Sequence, residues 1–184
     1  MNKAVFLDRD GTLNVEKNYL YKISDFEYLE GAKEALKIFQ DLGYLLIVIT
    51  NQSGIARGFY TEEDFYKLSS WIENDLSESG IVLTKQYYCP HLPDSKIKKY
   101  AKDCECRKPR LGLFLRAVED YEIDLNESIA IGDKERDIAI CETDLGKNMH
   151  GYLVYSDEES TMDNVSRIKG GLFEIAQNLI KDKK

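Results

Sequence analysis

FLDRDGTLN, residues 6–14, joins an apolar run to two acids and a Gly-Thr turn. Asp8 and Asp10 stand at the tip of what reads as a strand, where like charges at close range raise one another's pKa. A fold holds such a pair for a cation, for chemistry, or because both groups face water. Any single D-x-D is a weak signal, so the ends of the other strands must decide.

AVFLD (4–8) is the first of five short apolar runs; LLIVIT (45–50), QYYC (86–89), SIAIGD (128–133) and YLVY (152–155) follow. Their β-branched or aromatic content, without strict alternation, suits a sheet covered on both faces. Helical patterns lie between them. Ala32, Ala35, Leu36 and Phe39 share one face, and Gly43 is placed to end that helix. Thr61 and Asp64 form a capping-box pattern ahead of Phe65, Leu68, Ile72 and Leu76, with Gly80 as the stop. Pro109 is placed in the first turn of a helix carrying Leu111, Phe114, Leu115 and Val118, and Leu172, Ile175, Ala176 and Leu179 make a last one. The alternation predicts an α/β fold with a doubly wound parallel sheet. Without repeats, low-complexity tracts or Pro/Gly-rich linkers, residues 1–184 read as one domain.

Ligands of such sheets bind beyond the carboxyl ends of the strands. Asp8-Arg9-Asp10-Gly11-Thr12 stands there after the first strand and Thr50-Asn51-Gln52-Ser53-Gly54 after the second. Arg107-Lys108-Pro109 follows the third after an insertion, and Gly132-Asp133-Lys134 ends the fourth. Acids, a hydroxyl and a lysine on one rim match the needs of phosphoryl transfer, which are charge neutralisation and in-line positioning. A carboxylate can serve as nucleophile through an aspartyl-phosphate. Mg²⁺ takes hard oxygen ligands, which Asp8, Asp133 and the backbone carbonyl of Asp10 would supply. The turn at Gly11 leaves the direction of Asp10 open; pointed toward the leaving group, it can act as acid and then as base. Thr50, the N–H groups near Asn51 and Lys108 would cradle the phosphoryl oxygens.

Bulk properties narrow the classes. The net charge of −8 speaks against a nucleic-acid or anionic-membrane surface. The longest aliphatic run, LLIVI (45–49), is far too short to span a bilayer, and no charged-then-apolar leader precedes the first strand, so the expected compartment is the cytoplasm. Cys89, Cys104, Cys106 and Cys141 then read as metal ligands or core residues rather than disulfides. The expected partner is a small phosphorylated substrate, and the expected state a monomer.

YYCPHLPDSKIKKYAKDCECRKP (87–109) contains Cys89-x-His91 and, after twelve residues, Cys104-x-Cys106. Three thiolates and an imidazole match a closed tetrahedral Zn²⁺ site, structural because no position is left open. Such a site would hold the loop at about 89–106 and aim Arg107 and Lys108, which directly follow it.

DRDGT, TN, the lysine before Pro109 and GDKERD together resemble motifs one to four of the haloacid dehalogenase (HAD) phosphohydrolases over about residues 4–145. The resemblance implies a HAD-like Rossmannoid three-layer sandwich. It makes Asp8 the nucleophile, Asp10 the acid/base, Thr50 and Lys108 the phosphoryl stabilisers, Asp8, Asp10 and Asp133 the Mg²⁺ ligands, and Asp137 an outer support. CPH…CxCRKP with TNQSGIARG is similar to the zinc-loop D-glycero-D-manno-heptose 1,7-bisphosphate phosphatases. That family lacks a large cap domain, and the roughly forty residues between Asp10 and Thr50 leave no room for one. The resemblance implies removal of the C7 phosphate in nucleotide-activated heptose synthesis for surface polysaccharide. It also implies substrate contacts from Glu16, Lys17, Asn18, Tyr19, Asn51, Gln52, Ser53, Arg107 and Lys134.

Histidinol-phosphate phosphatase, whose zinc-bearing HAD domain shares these motifs, is the nearest alternative. A polynucleotide 3′-phosphatase fits the acidic balance less well, and a phospho-accepting receiver domain would carry its acid on the third strand. Arg57 reads equally as a substrate contact or a loop cap. Cys141 reads as a buried small hydrophobe in an Ile-rich helix, His150 as a surface or interface histidine, and Trp71, Tyr87 and Tyr88 as packing residues. The stretch 158–163 reads as a solvated loop and 181–184 as a frayed end.

Overall fold

The computed structural model describes residues 1–155 and 163–181. Apart from Asp163 and Lys181, the expectations for 158–163 and 181–184 lie outside the described residues. Six strands, β1 (Lys3–Leu7), β2 (Tyr44–Asn51), β3 (Leu83–Cys89), β4 (Ile129–Gly132), β5 (His150–Val154) and β6 (Val165–Ile168), form one sheet in the order β3-β2-β1-β4-β5-β6. Every neighbouring pair is parallel. The helices are α1 (Ala32–Asp41), α2 (Ser53–Ala56), α3 (Glu62–Glu78), α4 (Gly112–Tyr121) and α5 (Leu172–Lys181).

Successive strand residues point to opposite faces, and both faces are apolar. Val5, Leu7, Leu46 and Val48 pack with Leu36 and Phe39 of α1, Leu68 and Ile72 of α3 and Ile175 of α5. Ala4, Phe6, Ile47 and Ile49 pack on the other side with Leu113, Phe114 and Ala117 of α4 and with Ile138 and Ile140. This is the three-layer, doubly wound sandwich. From β1 the chain runs outward one way through β2 and β3, then returns to β4 on the other flank, so the order reverses between β1 and β4. A ligand crevice opens at that switch point.

Local signals act where expected. Gly43 and Gly80 adopt positive φ (86° and 70°) just past α1 and α3. Thr61 caps α3 through a reciprocal bond with Asp64. Several expectations need correction. Pro109 precedes α4 rather than sitting in its first turn; the helix starts at Gly112, and it buries Leu113, Phe114 and Ala117 while Leu115 is exposed. Strand β3 begins at Leu83, upstream of the apolar run. β6 was missed because VSRI offers no continuous apolar stretch; as an edge strand it needs none. The Ile-rich helix around Cys141 is instead two short 3₁₀ turns, Glu135–Asp137 and Ala139–Glu142. Cys141 is nevertheless buried, and burial pushes its thiol up to about 12. His150 is half-buried at the start of β5, with Nε2 2.9 Å from Ser166 Oγ of β6, and burial lowers its pKa.

Candidate active site

β1 is paired on both sides up to Leu7, opposite Val48 and Ile131, so Asp8 emerges at the strand tip with its N–H on the Ile131 carbonyl at 3.0 Å. The chain then turns tightly, the N–H groups of Leu13 and Asn14 returning to Arg9 O at 2.8 and 3.2 Å. Gly11 makes the turn at φ 89°, and a Cβ there would lie 2.7 Å from Asp133 Oδ2, so the turn and the fourth strand tip meet only because the side chain is missing.

Lys108, buried, crosses to this tip. Its Nζ lies 2.7 Å from Asp8 Oδ1, 2.7 Å from Asp137 Oδ1 and 2.5 Å from the Ile49 carbonyl. Asn51 fixes the lysine's backbone from both sides, donating to Lys108 O and accepting from Lys108 N, each at 3.0 Å. Burial pushes Asp8 up to about 7 against the pull of Lys108, and the nearby Asp137 and Asp10 charges add to the rise. Burial disfavours the ammonium too, but its two carboxylates raise the Lys108 pKa, so it stays charged.

Asp10 has a different environment. Arg9, completely buried, grips it with Nε to Oδ1 at 3.0 Å and Nη2 to Oδ2 at 2.7 Å. Asn14 donates to Oδ1 at 3.1 Å and Gln52 to Oδ2 at 3.0 Å. Burial raises this carboxyl, but Arg9, aided by Asn14 and Gln52, outweighs it and holds the pKa below the usual range. The two acids of the opening stretch are thus separated electrostatically: Asp8 shares one cation with Asp137, and Asp10 has Arg9. Gln52 also donates to Thr50 Oγ1 at 2.8 Å and accepts from Tyr60 OH at 2.5 Å.

The carboxylates of Asp8, Asp133 and Asp137 come within 4.8 Å of one another. The buried Lys108, the exposed Lys134 at 2.7 Å from Asp133 Oδ2 and, more loosely, Arg136 at 3.8 Å from Asp137 Oδ1 face the six oxygens of these three acids. An excess of hard anionic oxygens fits a divalent cation such as Mg²⁺. Asp137, read as a support, also brings its carboxylate into this cluster, while accepting from Lys134 N at 3.0 Å.

Cys89, His91, Cys104 and Cys106 form a second cluster, all four ligand atoms within 4.8 Å of one another. The sulfurs stand 3.1, 3.2 and 3.5 Å apart, and His91 Nδ1 lies 3.2 Å from Cys106 Sγ. A Zn²⁺ tetrahedron with 2.3 Å arms has edges of about 3.7 Å, so the free thiols and imidazole need only a small expansion to hold the ion.

Of the residues expected at the substrate, Glu16, Asn18, Tyr19, Asn51, Gln52 and Ser53 line a cavity of about 270 Å³ that opens onto Asp10. Asn18 and Tyr19 both hold positive φ (46° and 63°), strain for non-glycine residues, with Asn18 N on Glu16 Oε1 at 2.8 Å. Burial, then Asp10 and Asp133, raise the Glu16 pKa. Three other expected contacts do not line this cavity. Lys17 turns to Glu27 at 3.0 Å, Arg107 Nη1 reaches the His91 carbonyl at 3.4 Å, and Lys134 pairs with Asp133. Arg57 stacks over Tyr19 at 5.9 Å and lines a neighbouring cavity of about 240 Å³. Trp71 packs against Phe26, Tyr87 is buried, and Tyr88 donates to Glu62 at 2.6 Å.

Sequence reasoning missed Arg9, Asn14, Tyr60 and Arg136. Arg9 was hidden because strand alternation would send it away from both acids; the strand ends at Leu7, and the turn carries it inside. Its position between two acids was the available signal.

Such a crevice, with acids on adjacent strand tips around a buried lysine, defines a phosphatase site. A family profile described as polynucleotide kinase 3 phosphatase matches residues 3–157, and the chain belongs to that family of phosphoric monoester hydrolases, on a HAD-like fold. Within it the chain is a member of the heptose-1,7-bisphosphate 7-phosphatase group. The Haemophilus ducreyi D-glycero-beta-D-manno-heptose-1,7-bisphosphate 7-phosphatase is 49% identical over 142 residues, 77% of this chain and 78% of the relative. The Campylobacter jejuni alpha-anomer enzyme is 41% identical over 182 residues, 98% and 97% of the two chains. Among solved structures, the D,D-heptose 1,7-bisphosphate phosphatase from B. bronchiseptica, complexed with magnesium and phosphate, superposes with a TM-score of 0.80 at 26% identity, covering 98% of this chain and 99% of that one.

Proposed function

We propose that this protein is a Mg²⁺-dependent phosphatase that removes the C7 phosphate of D-glycero-D-manno-heptose 1,7-bisphosphate, leaving heptose 1-phosphate. The convergence of Asp8, Asp133 and Asp137 beneath Lys108 carries the reading; the heptose substrate is supported by relatives at 41–49% identity. The histidinol-phosphate alternative draws no such support.

Mg²⁺, held by Asp8, Asp133 and the Asp10 carbonyl, would supply charge neutralisation for the phosphoryl oxygens. Asp8 attacks phosphorus as its carboxylate; the bond from phosphorus to O7 breaks, and an aspartyl-phosphate forms. Asp10 gives its proton to O7. It rests ionised beside Arg9, and the incoming phosphate, a like charge, raises its pKa toward the donating form. As carboxylate it then takes a proton from water, which attacks the aspartyl-phosphate and frees Asp8 and inorganic phosphate. Thr50 and Lys108 bind the phosphoryl oxygens, and Glu16, Asn18, Tyr19, Asn51, Gln52 and Ser53 form the sugar pocket. Cys89, His91, Cys104 and Cys106 would hold a Zn²⁺ ion, which would fix the loop from which Lys108 enters. The chain acts as one domain and a monomer, in the cytoplasm, on the route to activated heptose for surface polysaccharide.

Phosphate release from both anomers of the bisphosphate, from histidinol phosphate and from a 3′-phosphorylated oligonucleotide tests this directly. The expected product is heptose 1-phosphate, identified by ³¹P NMR. Faster turnover of either other substrate overturns the assignment.

A further inference from the structure

The scissile phosphate is served by Lys108 and Thr50, but a bisphosphate brings a second phosphate, with nearly two more negative charges. The cavity that opens onto Asp10 is a poor host for it. Asp10 and Glu16 line it, and Asn18, Asn51 and Ser53 are neutral. Among the described residues lining it, Arg136 is the only cation. Other bases on this rim are engaged: Lys134 lies 2.7 Å from Asp133 and Arg107 reaches back to the His91 carbonyl, and neither lines the cavity.

Arg136 is available by contrast. Its side chain is 47% exposed, and its Nε lies 3.8 Å from Asp137 Oδ1, beyond hydrogen-bond range. Its backbone is fixed in the 3₁₀ turn Glu135–Asp137, which Asp137 ties to Lys134 N at 3.0 Å. A fixed base with a free planar fork suits bidentate capture of a phosphate. Resting on the substrate reading above, we propose that Arg136 is a specificity residue that binds the non-scissile phosphate and so selects a bisphosphate over a monophosphate.

The test compares steady-state kinetics of wild type, Arg136→Gln and Arg136→Lys on heptose 1,7-bisphosphate and heptose 7-phosphate. In Arg136→Gln, KM for the bisphosphate should rise about ten- to a hundredfold, the range for a lost charged hydrogen bond, while kcat falls less than threefold. The loss on the monophosphate should be several-fold smaller, and Arg136→Lys should recover part of the bisphosphate affinity. A misfolded variant would instead lose kcat on both substrates. If wild type prefers the bisphosphate and Arg136→Gln keeps that preference, or raises KM for both substrates equally with kcat retained, the role of Arg136 is overturned alone. A wild type without preference for the bisphosphate overturns the substrate reading itself, and this proposal with it.

Discussion

Asp8 and Lys108 meet across 100 positions of chain, whereas the cysteines and histidine of the second cluster are at most 17 apart. The first site exists only when β1, β2 and β4 are in register and their ends stand side by side. The second needs only a strand end and a loop, with a proposed zinc ion to join them. The sites differ electrostatically too. The crevice gathers three carboxylates around one buried lysine and pushes Asp8 up to about 7, an arrangement that opposes folding. The cysteine–histidine cluster would bind its own neutraliser, and a zinc ion held there would add to folding. Chemistry is thus concentrated where the fold is electrostatically strained, and the stabilising device is placed beside it, one residue from Arg107.

The sharpest way to break this contrast is Asp8→Asn. Loss of the nucleophile should lower kcat by about 10⁴-fold or more, with folding and zinc content retained; turnover near wild type would remove Asp8 from its role. Stability should move the other way. Between the ordinary value of 3.8 and about 7, folded Asp8 holds a proton that the unfolded chain has released. Stability from this group therefore falls as pH rises through that window. Thermal melts in magnesium-free buffer should show the wild type losing Tm from pH 4 to 7 more steeply than Asp8→Asn, and Mg²⁺ should restore more Tm to the wild type at pH 8. Parallel pH profiles would show that the crevice is not strained.

Cys106→Ala acts on the other region. Zinc content, measured by plasma mass spectrometry, should drop well below one per chain, and Tm by about 5–10 °C, the equivalent of roughly 2–3 kcal/mol at this size. Activity should fall less than in Asp8→Asn, because Lys108 is also held by Asn51. Unchanged zinc stoichiometry would defeat the ligand assignment.

The same contrast explains what could be read without coordinates. The cysteine–histidine cluster is local, so its spacing was visible directly. The strand-end residues were visible because apolar runs and their polar ends mark the carboxyl rim of a parallel sheet. Orientation was not. That Gln52 and Asn51 turn partly inward, to Asp10 and to Lys108, follows from partners more than forty residues away. Arg9 was lost because a turn, not a strand, sets its direction. β6 was invisible because an edge strand carries too little apolar sequence, and the start of α4 was misplaced because Pro109 signals a break as readily as a first turn.

A smaller effect is expected where the loop between His91 and Cys104 meets α3. Glu62 accepts from Lys99 and Tyr100, each at 2.6 Å, and from Tyr88 at 2.6 Å, which lowers its pKa to about 2. That stability is present above the ordinary value of 4.5 and is lost as pH falls toward 2. Lys99 is largely exposed, so Glu62→Gln should lower Tm at pH 7 by only about 2–4 °C, with the difference shrinking at pH 3. An undiminished gap at pH 3 would assign the effect to packing rather than charge.

The smallest effect separates the two faces of the segment after the first strand. Asn18 and Tyr19 line the cavity in strained backbone, but Lys17 between Glu16 and Asn18 points to Glu27 on the surface. An exposed pair of this kind contributes under about 1 kcal/mol. Lys17→Ala should change KM for the bisphosphate less than twofold and Tm by under about 2 °C, while Tyr19→Ala, which removes a cavity wall whose ring lies tilted against Phe59 at a centroid distance of 4.7 Å, should raise KM severalfold. A tenfold KM rise in Lys17→Ala would mean that the lysine leaves Glu27 for the substrate, and that the segment closes over the sugar when it binds.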